Sequence, residues 1–252
     1  CFVVSATSAN ANGTLTGYGE VKVWMERSLF SSCDNAYNNA YGDAYAIATS
    51  VVQPQSAGYL SAPPPLVVTA VKECELRPSS SSLHLTQNTD TSFGGGFVMY
   101  GSAKVEMEMD SVTANGVRGG IFSCVDCSSI SAVMTGVSTS SLRPNSYGGG
   151  VVSILNWFEK VSSSISLENI TMDSSEGTGL GGAILNLNSY VKSSELPSQL
   201  KLNGKHISVT NPNLHSLYGN GGGLIRVSNS IVQIELDDFT ATNILQTGGG
   251  CG

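Results

Sequence analysis

Charge is scarce in this chain. Lys, Arg, Asp and Glu make up 12% of its 252 residues, and 12 Lys+Arg against 19 Asp+Glu leave a formal net charge of −7. No basic stripe exists, which argues against a nucleic-acid partner. No apolar run reaches about 18 residues, so no membrane-spanning helix and no membrane insertion by this chain are expected. Histidine is rarer still: His84, His206 and His215 are the full set. None sits at metal-ligand spacing and none has a nucleophile partner in the sequence, so neither a metal site nor a hydrolytic triad is read, and no cofactor is expected. A start Met and a signal peptide are also absent, which points to a processed chain or an excerpt of a longer one. Low charge combined with regular apolar alternation argues against disorder.

Glycine, serine, threonine and asparagine are plentiful instead, and the glycines are ordered. A Gly-Gly doublet followed by an apolar run occurs at Gly95-Gly96, Gly119-Gly120, Gly149-Gly150, Gly181-Gly182 and Gly222-Gly223. A sixth doublet, Gly249-Gly250, precedes Cys251-Gly252. The intervals are 24, 30, 32, 41 and 27 residues. Self-similarity at such a period marks a repeat architecture. We read the doublets as repeat corners, where φ is positive or backbones approach closely.

A second register runs alongside. The pattern apolar, polar, polar, apolar recurs at Val71–Cys74, Met109–Val112, Met134–Val137, Leu167–Ile170 and Leu236–Phe239, with a weaker copy ending at Ile207. Alternation precedes several copies, as in Val105, Met107, Met109 and in Ile165, Leu167. Period-two alternation predicts a strand with one buried face. The two polar residues then turn an outward corner. Landmarks that persist while their spacing varies are what loops inserted into stacked coils produce.

The predicted fold is therefore all-β: a right-handed single-stranded parallel β-helix, a solenoid of about six to eight coils. A β-sandwich with Gly-rich turns is the alternative, but sandwiches do not usually repeat landmarks in this way. One domain over 1–252 is expected, with irregular coils and insertions over 17–93 and regular repeats over 94–252. It would form part of a longer chain or of a stacked assembly. The first clear strand is Val21–Met25. A short helix or a long loop is expected near 34–52, where Tyr37, Tyr41 and Tyr45 recur every four residues and Pro54 could end the helix. These tyrosines either pack on the flank or form an aromatic platform for sugars.

Six cysteines, Cys1, Cys33, Cys74, Cys124, Cys127 and Cys251, form an even set in a Ser/Thr-rich chain, which leans extracellular. The Cys124-Val125-Asp126-Cys127 element reads as part of a set of disulfide staples between coils or loops rather than as a redox motif, and the pairing stays open. Cys74 falls at an inward corner position and also reads as core. The sequons at Asn12 and Asn169 lean the same way as the cysteines.

The Gly181-Gly182-Ala183-Ile184 element resembles the repeats of chlamydial polymorphic outer-membrane proteins, with related repeats in surface proteins of protists and algae. That family pairs GGAI with FxxN. Val112-Thr113-Ala114-Asn115 is similar to the second element, whereas Phe239-Thr240-Ala241-Thr242-Asn243 is one residue too long. The resemblance spans about residues 94–252. It implies a surface-exposed β-helix used for adhesion or as a structural shaft, and it supplies no catalytic residues.

Pectin-degrading β-helix enzymes offer the other comparison, and with it a carbohydrate-active enzyme or carbohydrate-binding module. Asn88-Thr89-Asp90 and Asp237-Asp238 look like two elements of the polygalacturonase set. They lie 147 residues apart, and no GHG or RIK element exists. Carboxylates several coils apart cannot flank one glycosidic bond. A lyase would need carboxylates near Arg226 or Lys201, and none cluster there in the sequence. The reading is therefore a non-enzymatic extracellular structural or adhesive protein, a building block of a surface fibre, appendage or long adhesin. Its partners would be further coils or copies of itself stacked end to end, with surface glycans as a second class.

Overall fold

The computed structural model describes residues 20–31, 66–77, 95–100, 104–117, 120–142, 150–156, 160–178, 183–189, 197–215 and 223–247. Within them every regular element is a β-strand and every strand pairing is parallel. The short helix or long loop expected near 34–52, with its tyrosines, lies outside the described residues.

Seven strands form one continuous face. They are β1 (Glu20–Glu26), β3 (Leu66–Lys72), β6 (Lys104–Asp110), β9 (Ser129–Thr135), β12 (Ser162–Asp173), β15 (Ser198–Thr210) and β18 (Ser230–Thr242). Each pairs only with the strand before and after it in that series along this face. Short strands β2 (Leu29–Ser31), β4 (Glu75–Arg77), β7 (Thr113–Asn115) and β10 (Ser138–Ser140) follow a two-residue bend and pair among themselves. β12 joins both rows, because its first part pairs with β9 and its last three residues pair with β10. The sheet is thereby curled.

A second sheet stacks β5 (Gly95–Tyr100), β8 (Gly120–Val125), β11 (Gly150–Asn156), β14 (Leu185–Ser189) and β17 (Ile225–Ser228). A third stacks β13 (Glu176–Thr178), β16 (Asn213–His215) and β19 (Leu245–Thr247).

Alternation explains the long face. In β6 the inward residues Val105, Met107 and Met109 are buried while Lys104, Glu106 and Glu108 are exposed. Parallel pairing in register then sets like on like. Val71, Met109, Met134 and Leu167 form one inward row, and Phe97, Phe122, Val152 and Leu185 another. Neighbours in such rows lie about 4.8 Å apart, so each side chain is covered above and below. Burying one of them is worth roughly 1.5–3 kcal/mol. β8 and β11 are buried on both faces, as central strands of parallel sheets usually are.

The inward rows are not wholly apolar. Thr69, Thr139 and Ser163 occupy inward places and are buried. Ser163 donates its hydroxyl to the Gln199 carbonyl at 3.0 Å, so its burial leaves no orphan.

Bends are made by single residues with positive φ. Arg27, Glu73, Ser111, Gly136, Asn169, His206 and Asp238 occupy one bend position in successive repeats, with φ between 49° and 65°. Glu73, Ser111, Gly136, Asn169 and Asp238 are each the second polar residue of the apolar, polar, polar, apolar pattern, His206 holds that place in the weaker copy ending at Ile207, and Arg27 is followed by Ser28. A second bend position holds Gly116, Ser141, Ser174, Asn211 and Asn243. A left-handed conformation costs a non-glycine residue roughly 1–2 kcal/mol. Hydrogen bonds between repeats offset it. Glu73 N–H donates to Asp110 O at 2.8 Å, Ser111 N–H to Thr135 O at 2.9 Å, and Gly136 N–H to Glu168 O at 2.9 Å. These bends are thus tied to the repeat beside them.

Candidate functional site

The sequence-derived candidates among the described residues, Asn169, Lys201, Arg226 and Asp237, lie on four different strands. The described surface instead offers outward bend rows and an exposed strand edge. At the first bend, Arg27 reaches Glu73 at 3.0 Å and Glu26 at 3.1 Å. Further along the same row His206 Nδ1 meets Asp238 Oδ2 at 2.7 Å. Beside these residues runs a row of mostly charged side chains in register: Glu26, Lys72, Asp110, Thr135, Glu168, Lys205 and Asp237. All are solvent-facing, so each pair contributes little to stability.

The second bend row is neutral and polar around one carboxylate. Asp173 accepts from Asn211 Nδ2 and from Thr210 Oγ1, both at 2.9 Å. Asn243 Nδ2 in turn donates to Asn211 Oδ1 at 3.1 Å. The Asn211 amide, then the Thr210 hydroxyl, hold the Asp173 carboxyl below its ordinary value of 3.8. The sequence reading missed this row and the His206–Asp238 pair. The available signals were the Asp173-Ser174, Asn211-Pro212 and Thr242-Asn243 dipeptides, which favour turns.

Asn169 sits at the first bend with φ +54° and is exposed, as is Thr171 of its sequon. Asp237 is exposed on β18, in register with Lys205. Arg226 lies in β17 and Lys201 in β15. No three metal-ligating side chains gather among the described residues.

Cys124 and Cys127 lie at disulfide distance, with S–S 1.96 Å. The pair spans the bend at Asp126 between β8 and β9 instead of stapling one repeat to another. Cys74 is buried and free, and its thiol donates to Lys72 O at 3.2 Å.

Gly95 and Gly96 open β5, Gly120 opens β8 and Gly150 opens β11, while Gly223 lies in the bend before β17. Among these only Gly150 has positive φ, at +92°. A Cβ on Gly96 would stand 2.9 Å from Ile121 O, so at this doublet glycine answers a close backbone approach. Asn12, Cys1, Cys33, Cys251, Asp90, His84, Gly119, Gly149, Gly181, Gly182, Gly222, Gly249 and Gly250 lie outside the described residues.

The last feature is the open edge. Among the described residues β18 pairs with β15 alone, and its inward row Val232, Ile234 and Leu236 is 38%, 41% and 39% exposed. The equivalent β15 residues Leu200 and Leu202 are 3% and 0% exposed. No family model, curated protein or solved structure matches the chain.

Proposed function

We propose that this chain winds as a right-handed single-stranded parallel β-helix of six to eight coils and serves, without enzymatic activity, as an extracellular structural or adhesive shaft. The observation that carries the reading is the seven-strand face in which β1, β3, β6, β9, β12, β15 and β18 follow one another in register, with a positive-φ residue at the same place in each repeat. A stack of this kind is rigid along its axis, because each repeat is held by its neighbours and not by itself. Its outward rows carry varied polar residues that the core does not constrain. Such a surface suits contact with glycans or proteins at many points rather than chemistry at one.

Resemblance to the GGAI repeats of polymorphic outer-membrane proteins points to the same use. The Cys124–Cys127 pair and the exposed sequon at Asn169 fit an oxidising, glycosylating route to the cell exterior. Partners of the shaft would be further coils or copies of the same protein, with surface glycans as ligands.

Electron microscopy of the purified chain, combined with a glycan-binding screen and an acidic-polysaccharide turnover assay, tests the proposal. Rod-shaped particles without turnover are expected. Globular particles, or turnover lost on Asp237→Asn, would overturn it.

A further inference from the structure

We infer that Asn169 carries an N-linked glycan whose inner sugar beds into an open slot over Gly136. This rests on the export route of the proposed function and adds a seat for the glycan and the residue that makes room for it.

Four asparagines among the described residues occupy bends with positive φ: Asn169, Asn211, Asn229 and Asn243. Three of them donate the side-chain amide to the repeat before. Asn211 Nδ2 reaches Asp173 Oδ1 at 2.9 Å, Asn243 Nδ2 reaches Asn211 Oδ1 at 3.1 Å, and Asn229 Nδ2 reaches Ser189 O at 2.7 Å. Asn169 makes no such bond among the described residues. The register gives the reason. Glu168 pairs with Thr135, which sets Asn169 beside Gly136, and glycine has no side chain to accept the amide. On the other side His206, in register with Asn169, pairs with Asp238 of the following repeat at 2.7 Å.

The space over Gly136 is open. A Cβ built there would meet nothing closer than Ser111 N at 3.5 Å. Ser111, Gly136 and Asn169 lie on successive repeats, so the slot spans roughly 9–10 Å from Ser111 to Asn169, enough for one sugar ring. Thr135 and Glu168 border it on one side, Ser138 and Thr171 on the other. Hydroxyls and a carboxylate of this kind suit the hydroxyl and amide groups of a sugar.

Asn169 is exposed, and so is Thr171 two residues on, as the acceptor sequence requires. In the transfer, Asn169 Nδ2 bonds the anomeric carbon of a lipid-diphosphate-linked oligosaccharide. The bond from that carbon to the phosphate oxygen breaks, the lipid diphosphate leaves with the electron pair, and the amide gives up one proton. Seated over Gly136, the glycan covers the middle of the first bend row, between the Arg27–Glu73 and His206–Asp238 pairs.

Mass spectrometry and thermal melting of the full chain, secreted from a glycosylating host, test the inference. Asn169 should carry a glycan that Thr171→Ala removes. Gly136→Asp fills the slot and supplies the kind of acceptor that Asp173 gives Asn211. The same bend position already holds Asp238 at φ 52°, so the backbone tolerates the change. In the Thr171→Ala background, Gly136→Asp should leave the melting temperature nearly unchanged. In the glycosylated chain it should lower it by roughly 2–4 °C, because the inner sugar has lost its seat, and the difference between the two effects is the coupling. An unmodified Asn169, or a Gly136→Asp effect equal with and without the glycan, would overturn the inference. Electron microscopy of the same samples separates the two levels. Rods with an unmodified Asn169 sink the glycan alone, whereas globular particles sink the shaft.

Discussion

Three glycines with different surroundings give the sharpest test of how the repeats are held. Gly150 has φ +92°, and a Cβ there would stand 2.6 Å from Ala183 O and 2.7 Å from Ile184 O. Both are backbone atoms of the next repeat, and the Ile184 carbonyl accepts from Val151 N–H and Val152 N–H. They cannot move without loosening the ladder. Gly136 has φ +65°, with nothing closer than Ser111 N at 3.5 Å. Gly204 has no positive φ, and its virtual Cβ meets only the tips of Leu236 at 2.6 Å and Ile207 at 2.7 Å. For Gly136→Ala, the left-handed cost of roughly 1–2 kcal/mol is partly offset by about 0.4–1 kcal/mol from restricting the unfolded chain, leaving about 1 kcal/mol. Gly150→Ala adds to that net strain an overpacking cost of roughly 1–3 kcal/mol, for about 2–4 kcal/mol in all. For Gly204→Ala, Leu236 sits in the open strand and can lean away. The change should cost under about 1 kcal/mol, because Ala is favoured over Gly in a strand by roughly 0.5–1 kcal/mol. Urea denaturation followed by circular dichroism, with hydrogen exchange to detect partial unfolding of single repeats, measures all three. A Gly150→Ala variant as stable as Gly136→Ala would refute the claim that the doublet glycine answers a backbone contact between repeats.

Asp173 should make the protein acid-sensitive. Its folded carboxyl titrates below 3.8, so its contribution is complete above that value and is lost as pH falls through the lowered one. Asp173→Asn should therefore flatten the stability profile below about pH 4, as read from melting temperature against pH, and an unchanged slope would contradict the hydrogen-bonded row. Cys74, Cys124 and Cys127 are buried, so peptide-mapped thiol labelling should leave Cys74 unmodified, and mild reductant should leave the Cys124–Cys127 pair intact, until the chain is unfolded. Thr171→Ala removes the sequon without touching the positive-φ residue. Secreted from a glycosylating host, it should lose one glycan by mass, and an unshifted mass would show that Asn169 is not modified. Amides of β18, which pairs on one side only among the described residues, should exchange faster than those of β12, and equal protection in hydrogen exchange would contradict this.

Much of this architecture was legible because apolar alternation and parallel stacking constrain each other. Val105, Met107 and Met109 could be assigned inward from the sequence, and the outward turn at Asp110-Ser111 followed from two polar residues interrupting the alternation. The identity of the bend residue was less visible. Glycine or asparagine signals positive φ, but Arg27, Glu73 and His206 do not. They are held there by the register of the neighbouring repeat, which no local pattern encodes. Gly204 illustrates the same limit. A glycine in an inward row breaks the alternation and weakens the copy ending at Ile207, yet the row stays filled because Leu236 and Ile207 extend into the space. Cys124-Val125-Asp126-Cys127 was legible as a disulfide element but not as a local one, since nothing in the spacing reveals that Asp126 bends the chain and brings its two flanks together.

The separation between inside and outside has a functional consequence. Inward rows must match in size from one repeat to the next, so they change only in concert. Outward rows touch solvent and the residue beside them, and their exposed charge pairs are weak, so Arg27–Glu73 and His206–Asp238 could be exchanged for other polar pairs at little cost to the fold. A protein built this way can alter what it contacts along its flank without altering how it stands. On β18 the inward row itself is part-exposed at Val232, Ile234 and Leu236, and whatever covers it must supply an apolar row at the same pitch. Contact with that row is therefore specified by the rule that assembles the interior, and contact along the flank is not.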